Sequence, residues 1–170
     1  MKLPITWINE SFKKDYSADD LSNLLTLSGI ESEIDKDKGE EILDISLTPN
    51  RADCFSYKGI IQEISALDNA KIKYENLPDP EIHHMECMKV EVQSKEDCPV
   101  FMTRVIKSIN KDAKTPKWLK KRLELSGYKS INAIVDIANF VMLETGQPLH
   151  TYDLKKVNEK IIVRRANDKE

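Results

Sequence analysis

Polar side chains that could carry out chemistry cluster near the end of the chain, on and after one apolar helix. The helix carries the amide of Asn139. The polar residues that follow it are Gln147, His150, Thr151, Tyr152 and Asp153. A rigid helix followed at once by a polar loop is a common way to hold a binding site. The simpler alternative is that His150 only bonds to the backbone of its own loop.

The helix that positions these groups is predicted from its caps and its apolar spacing. Ser130 can cap the N-terminus by accepting a hydrogen bond from an early backbone N–H. Gly146 can take the left-handed conformation that closes a helix, and Pro148 prevents its continuation. Apolar residues at three- and four-residue spacing predict the buried face. They are Ile131, Ile134, Val135, Ala138, Val141 and Met142.

Several standard catalytic and metal sites are excluded by the sequence. The chain has no GxSxG, HExxH or glycine-rich phosphate-binding motif, and its five glycines are isolated. Its three cysteines are far apart without a CxxC pair, so neither a disulfide framework nor a zinc site is indicated. The adjacent His83 and His84 are expected to belong to a solvated linker, because adjacent side chains seldom face one ion. We therefore predict no metal site.

The composition is typical of a globular protein outside the membrane. Of the 170 residues, 40% are hydrophobic and 32% are charged, which does not suit a disordered chain. No apolar run approaches the roughly 20 residues that span a bilayer, and the first residues lack the apolar core of a signal peptide. The expected location is the cytoplasm. The net charge of −3 provides no general attraction for nucleic acid.

One stretch of the chain is basic, in contrast to the negative net charge of the whole. It comprises Lys107, Lys111, Lys114, Lys117, Lys120, Lys121 and Arg122. A helix is predicted over residues 116–126, begun by Thr115 and Pro116, with Leu119 and Leu123 inward and the basic residues on its other face. One interpretation is a solvated helix face. The other is contact with RNA phosphates, and the candidate residues for it are Lys114, Lys117, Lys120, Lys121 and Arg122.

The first 70 residues are predicted to form a small domain of helices and strands. Ser17 and Asp20 resemble a capping box that opens a helix. A strand is predicted over residues 42–47, where apolar and polar side chains alternate. The polar segment before it, residues 30–41, is expected to be a short loop.

Residues 48–54 predict a polar turn that leads into a helix over roughly 55–67. Asp53 is a candidate N-cap for this helix, and Arg51 could pair with it or with a backbone carbonyl. A structural corner is the simpler interpretation of the turn. Direct contact between Arg51 and RNA is the alternative.

The domain organisation follows from these elements. Strands are predicted over 88–93, 100–106 and 161–166. The fold class is therefore α+β, with a first domain over 1–70, a linker over 71–87, and a second domain over 88–170. The second domain is expected to be incomplete, because its few elements leave sheet edges and apolar helix faces uncovered.

Three stretches together resemble a known family. They are SLTPNRADC at 46–54, TPKWLKKRLELSGYKSINAIVDIANFV at 115–141, and ETGQPLHTYD at 144–153. In this order they are similar to the beta subunit of bacterial-type phenylalanyl-tRNA synthetase, over a chain that corresponds only to its N-terminal portion. Most members of that family carry an inserted oligonucleotide-binding-fold domain near residues 30–41, and this chain crosses the gap with a short loop.

The resemblance implies a role in charging tRNA(Phe), as a subunit that assembles with an alpha subunit into a tetramer of two of each. ATP and magnesium would be used by the holoenzyme, and this chain is expected to bind no cofactor and to be inactive alone. His150 and Asn139 match residues of an editing pocket that hydrolyses wrongly attached tyrosine. Ala138 departs from the threonine usual in the family, and the glutamate that recognises the tyrosine hydroxyl is absent. The alternative function is a non-catalytic RNA-binding scaffold without editing activity.

Overall fold

The α+β fold predicted from the sequence is present in the computed structural model, which describes residues 1–73 and 77–170. The chain forms two units. The first comprises Met1–Asn76 and Ala113–Thr151, and the second comprises Leu77–Asp112 and Tyr152–Glu170. These units do not follow the predicted boundaries at 70 and 88, because the two helices expected in the second domain pack with the N-terminal residues.

The sheet of the first unit has three antiparallel strands. Strand β3 (Glu40–Ser46) lies between β1 (Lys2–Pro4) and β2 (Glu31–Asp37). The prediction of a loop over 30–41 is wrong, because these residues form β2 and its turn. Most side chains of β2 are exposed, so the strand lacks the apolar alternation by which sequence reveals strands.

A two-residue turn joins β2 to β3. Lys38 and Gly39 both have positive φ, of 50° and 80°, as the favoured hairpin turns require. This turn leaves no inserted domain between the two strands, as the sequence predicted.

Three helices accompany this sheet: α1 (Ile5–Glu10), α2 (Ala18–Leu27) and α3 (Tyr57–Asp68). The predicted capping box of α2 is confirmed, since the Ser17 hydroxyl accepts from the Asp20 N–H and the Asp20 carboxylate accepts from the Ser17 N–H.

Helix α3 is capped differently from the prediction. The hydroxyl of Ser56 accepts from the Gly59 N–H at 3.0 Å, and the predicted cap Asp53 instead binds Arg51. The prediction of Asp53 as the cap is therefore wrong, because a guanidinium offers its carboxylate a charge-assisted bond.

The other two helices of this unit are α4 (Lys117–Leu125) and α5 (Ala133–Thr145). Asn132, and not Ser130, caps α5 by accepting from two backbone N–H groups. The predicted buried face of α5 is also wrong: the buried residues are Asp136, Phe140 and Leu143. Gly146, with φ of 79°, closes the helix as predicted.

The core of the first unit joins all five helices to the sheet. Fully buried apolar side chains come from the sheet and from α1, α2, α3 and α4, and α5 contributes the buried Phe140 and Leu143. Among the largest are Phe12, Leu3, Ile8, Leu21, Leu25, Leu43, Ile60, Ile64 and Leu123.

The second unit contains a pair of short parallel strands, β4 (Lys89–Val92) and β5 (Lys160–Val163), with Val90 opposite Ile161. The strand predicted over 100–106 does not form. None of the described residues of this unit is buried. No helix in the described parts of the chain is long and apolar enough to cross a membrane.

Candidate functional site

Helix α5 is fixed at its N-terminal end by the buried carboxylate of Asp136. This carboxylate accepts hydrogen bonds from the Ser130 hydroxyl at 2.6 Å, the Ile131 N–H at 2.9 Å and the Thr115 hydroxyl. Burial alone would raise its pKa, but these three hydrogen bonds together lower the pKa below its usual value. The role of Asp136 was not predicted from the sequence. The signal that could have indicated it is a single carboxylate in an otherwise apolar helix.

The middle of α5 is held by aromatic side chains from distant parts of the chain. Phe140 lies 5.4 Å from the Trp7 ring, and Trp7 stacks on Tyr57 at 4.1 Å. Trp118 of α4 meets Phe140 edge to face at 5.3 Å. The Tyr57 hydroxyl donates to the Trp7 carbonyl at 2.8 Å, so this buried polar group is satisfied.

The end of α5 meets the turn that precedes α3. A Cβ built on Gly146 would lie 3.4 Å from the Ser56 Cβ and 3.6 Å from the Phe55 carbonyl oxygen. Glu144 also lies 4.0 Å from Lys58. The turn after residue 54 and the glycine of the GQPLH segment therefore touch, although they are far apart in sequence.

That turn is organised by the guanidinium of Arg51. It donates to both carboxylate oxygens of Asp53 at 3.0 and 3.2 Å, to Glu63 at 2.8 Å, and to the Cys54 sulfur at 3.0 Å. The predicted pairing with Asp53 is confirmed. Asp53, Cys54 and Glu63 bring three possible metal ligands within 4.8 Å of one another. The Arg51 guanidinium donates a hydrogen bond to each of these three side chains.

Cys54 in this turn is expected to resist alkylation in the folded protein. Burial, followed by its hydrogen bond to Asp53, raises the pKa of the thiol to about 11, so little thiolate forms at neutral pH. Cys87 is exposed and should react first. Mass spectrometry after brief iodoacetamide treatment, with and without urea, would measure this. Equal labelling of Cys54 and Cys87 in the native protein would contradict the prediction.

The predicted pocket residues lie on and after α5, and they do not share one face. Ala138 is on the partly exposed side with Ile134 and Ile137, opposite Asp136. Asn139 is half-buried on the flank of the helix, about 100° away around the axis. His150 is exposed in the loop after Gly146. The assignment of an editing pocket to Asn139, His150 and Ala138 stays a prediction.

The basic residues of α4 contact acidic residues of the first unit. Lys121 binds Glu40 at 2.5 Å, Lys120 lies 3.7 Å from Glu124, and Arg122 binds Glu10. For Lys114 and Lys117, no ion pair is seen within the described residues. The RNA-binding role of these five residues stays a prediction.

Comparison with known proteins places this arrangement in a family. A protein-family model described as the B3/4 domain matches residues 97–170. Three phenylalanine–tRNA ligase beta subunits match this chain at 42–44% identity.

The relatives are much longer than this chain. The protein of Neisseria gonorrhoeae is 43% identical over 134 residues, which is 79% of this chain and 17% of the relative. That of Aliivibrio fischeri is 42% identical over 75% of this chain and 16% of the relative. That of Coxiella burnetii is 44% identical over 74% of this chain and 16% of the relative. The chain thus spans about one sixth of these relatives, and it belongs to the family of phenylalanine–tRNA ligase beta subunits.

Proposed function

We propose that this chain acts as part of a phenylalanine–tRNA ligase beta subunit and supports the aminoacylation of tRNA(Phe) through assembly with an alpha subunit. The main support for this proposal is that the three stretches that resemble the family, 46–54, 115–141 and 144–153, pack mainly within the first unit. Trp118 and Phe140 from 115–141 meet, and Gly146 from 144–153 touches the turn that follows 46–54. In this proposal ATP and magnesium are used by the holoenzyme, and this chain alone forms no aminoacyl-adenylate.

Assembly is supported by the uncovered side of α5. Ile134 and Ile137 are 38% and 49% exposed on this helix, and Ile131 before it is 68% exposed. Adjacent exposed apolar side chains are typical of interaction surfaces. The alpha subunit is the partner that the family assigns to a beta subunit.

Co-expression with a tagged alpha subunit tests this proposal. The chain should be captured with the tag, and Ile137→Glu should reduce the captured amount at least tenfold, because a charge cannot be buried without a partner. Leu27→Glu is the matched control, since Leu27 is 90% exposed on α2 and should not affect capture. Absence of capture for the wild-type chain, or an equal loss with both variants, would contradict the proposal.

Editing in complete family members is proposed to use Asn139 and His150. Both side chains are accessible on or after a well-anchored helix, where they could position a water molecule near an ester. Ala138 lacks the hydroxyl that the family has there. We therefore expect this chain alone to release no tyrosine from Tyr-tRNA(Phe). Release that depends on His150 would show a complete site and overturn this expectation.

A non-catalytic RNA-binding scaffold is the second candidate function, and the cations of α4 favour it. Binding of tRNA should then weaken steeply with salt, and charge reversal at Lys120 and Lys121 should flatten that dependence. The ion pairs of Lys120 and Lys121 with Glu124 and Glu40 would be lost in the same variant, so circular dichroism must show that it stays folded. An unchanged salt slope in a folded variant would remove this candidate.

A further inference from the structure

A shallow depression of about 140 Å³ lies between α1 and α4 in the first unit. Its walls combine aromatic, cationic, anionic and hydroxyl groups, and the polar and aromatic residues of its lining are Thr6, Trp7, Glu10, Trp118, Lys121 and Arg122. None of these residues was assigned to the editing pocket. We call this set the Trp118 surface.

Trp118 is held in place while much of its ring stays accessible. Its side chain is 53% exposed, although Phe140 meets it edge to face. The Arg122 guanidinium lies 5.2 Å from the Trp118 ring centre and 5.0 Å from that of Trp7. An exposed aromatic ring fixed beside a guanidinium is the kind of platform on which nucleic-acid bases stack.

The charges around α4 are predominantly positive, in contrast to the net charge of −3 for the chain. The anions Glu10, Glu40 and Glu124 are each bound to a cation. The cations outnumber them and are Lys38, Lys114, Lys117, Lys120, Lys121 and Arg122. A polyanion is therefore the charge-complementary ligand for this surface.

We propose that the Trp118 surface binds single-stranded RNA, with one base stacked on Trp118 and the adjoining phosphates near Lys117 and Lys121. Stacking on an exposed ring needs unpaired bases, which favours single strands over a duplex. This inference rests on the proposed function, because it specifies where that function contacts RNA.

Acrylamide quenching of tryptophan fluorescence tests the proposal on the 170-residue chain, with a short oligouridylate as the probe. Trp7 is buried, so the quenchable fluorescence comes from Trp118, and the RNA should protect it. Trp118→Ala should weaken binding about tenfold, and Trp118→Phe should retain most of it. Lys117→Gln should reduce the slope of log affinity against log salt by about 0.7. Lys58→Gln, an exposed lysine on α3, is the control and should change neither quantity.

One variant should bind more tightly, which loss of folding cannot imitate. Glu10→Gln releases Arg122 from its ion pair and removes a negative charge beside the stacked base, so affinity should rise several-fold. An unchanged or lower affinity in Glu10→Gln, together with an unprotected Trp118, would overturn the proposal. Equal binding of double-stranded RNA of the same length would also overturn it.

The outcomes separate this surface from the proposed function. Capture by the alpha subunit without protection of Trp118 by RNA would leave the proposed function intact and remove the Trp118 surface. Protection of Trp118 by the alpha subunit and not by RNA would identify a protein interface, and would also remove it. Protection by oligouridylate in a chain that binds neither the alpha subunit nor tRNA(Phe) would support the surface and contradict the proposed function.

Discussion

Gly59→Ala is expected to destabilise the first unit by about 3 kcal/mol, because the added methyl group has no space. A Cβ at Gly59 would lie 2.0 Å from the Asp53 carbonyl oxygen and 2.9 Å from the Cys54 Cα. Both atoms belong to backbone, which a side-chain rotation cannot move. In an exposed helix the same substitution would stabilise the protein by about 1 kcal/mol, so the sign of the change is diagnostic.

Urea unfolding followed by tryptophan fluorescence measures this effect, since Trp7 and Trp118 both lie in the first unit. Gln62→Ala is the matched control, because Gln62 is exposed on the same helix and should shift the free energy of unfolding by less than about 0.5 kcal/mol. A Gly59→Ala protein at least as stable as the wild type would show that α3 and the preceding turn do not approach this closely.

Asp136→Ala should cost about 3 kcal/mol of stability, since it leaves the Thr115 and Ser130 hydroxyls and the Ile131 N–H without their buried acceptor. Asp136→Asn should cost less, because its amide oxygen still accepts hydrogen bonds. Combining Thr115→Val with Asp136→Ala should cost less than the sum of the two single changes. Full additivity would show that the Thr115 hydroxyl does not bind this carboxylate.

The contribution of Asp136 should also depend on pH. Its folded pKa lies below the unfolded value of about 3.9, so its stabilising effect is fully present above that pH and is lost as the pH falls through the folded pKa. The difference in unfolding free energy between the wild type and Asp136→Asn should therefore shrink below about pH 4. Asp19→Asn, an exposed change on α2, controls for the general effect of acid. A difference that stays constant down to pH 2 would contradict the assignment.

The local signals of the sequence identified most helices and several of their ends. Ser17 and Asp20 form the predicted capping box, Gly146 closes α5, and the alternation over 42–47 marks β3. These features depend on residues within a few positions of one another, where backbone geometry and short-range hydrogen bonds decide the conformation. The family signatures belong to the same class of information, and the relatives confirm the family.

Several features that the sequence did not predict depend on partners that are distant along the chain. Strand β2 carries mostly exposed polar side chains, and only its pairing with β3 makes it a strand. The buried face of α5 was misassigned because Phe140 is covered by Trp7 and Trp118, neither of which is near it in sequence. Ser130 was predicted to cap α5, and Thr115 to begin α4. Both hydroxyls instead donate to the buried carboxylate of Asp136, and no side chain caps α4.

The same division applies to the candidate sites. The sequence by itself determined the α+β class, the family, and the presence of Asn139 and His150 on a helix and the loop after it. The tertiary structure decided that α4 and α5 join the first unit and that Trp118 is fixed beside Arg122. Burial and charge neutralisation depend on which side chains meet in space, and periodicity along one helix does not contain that information.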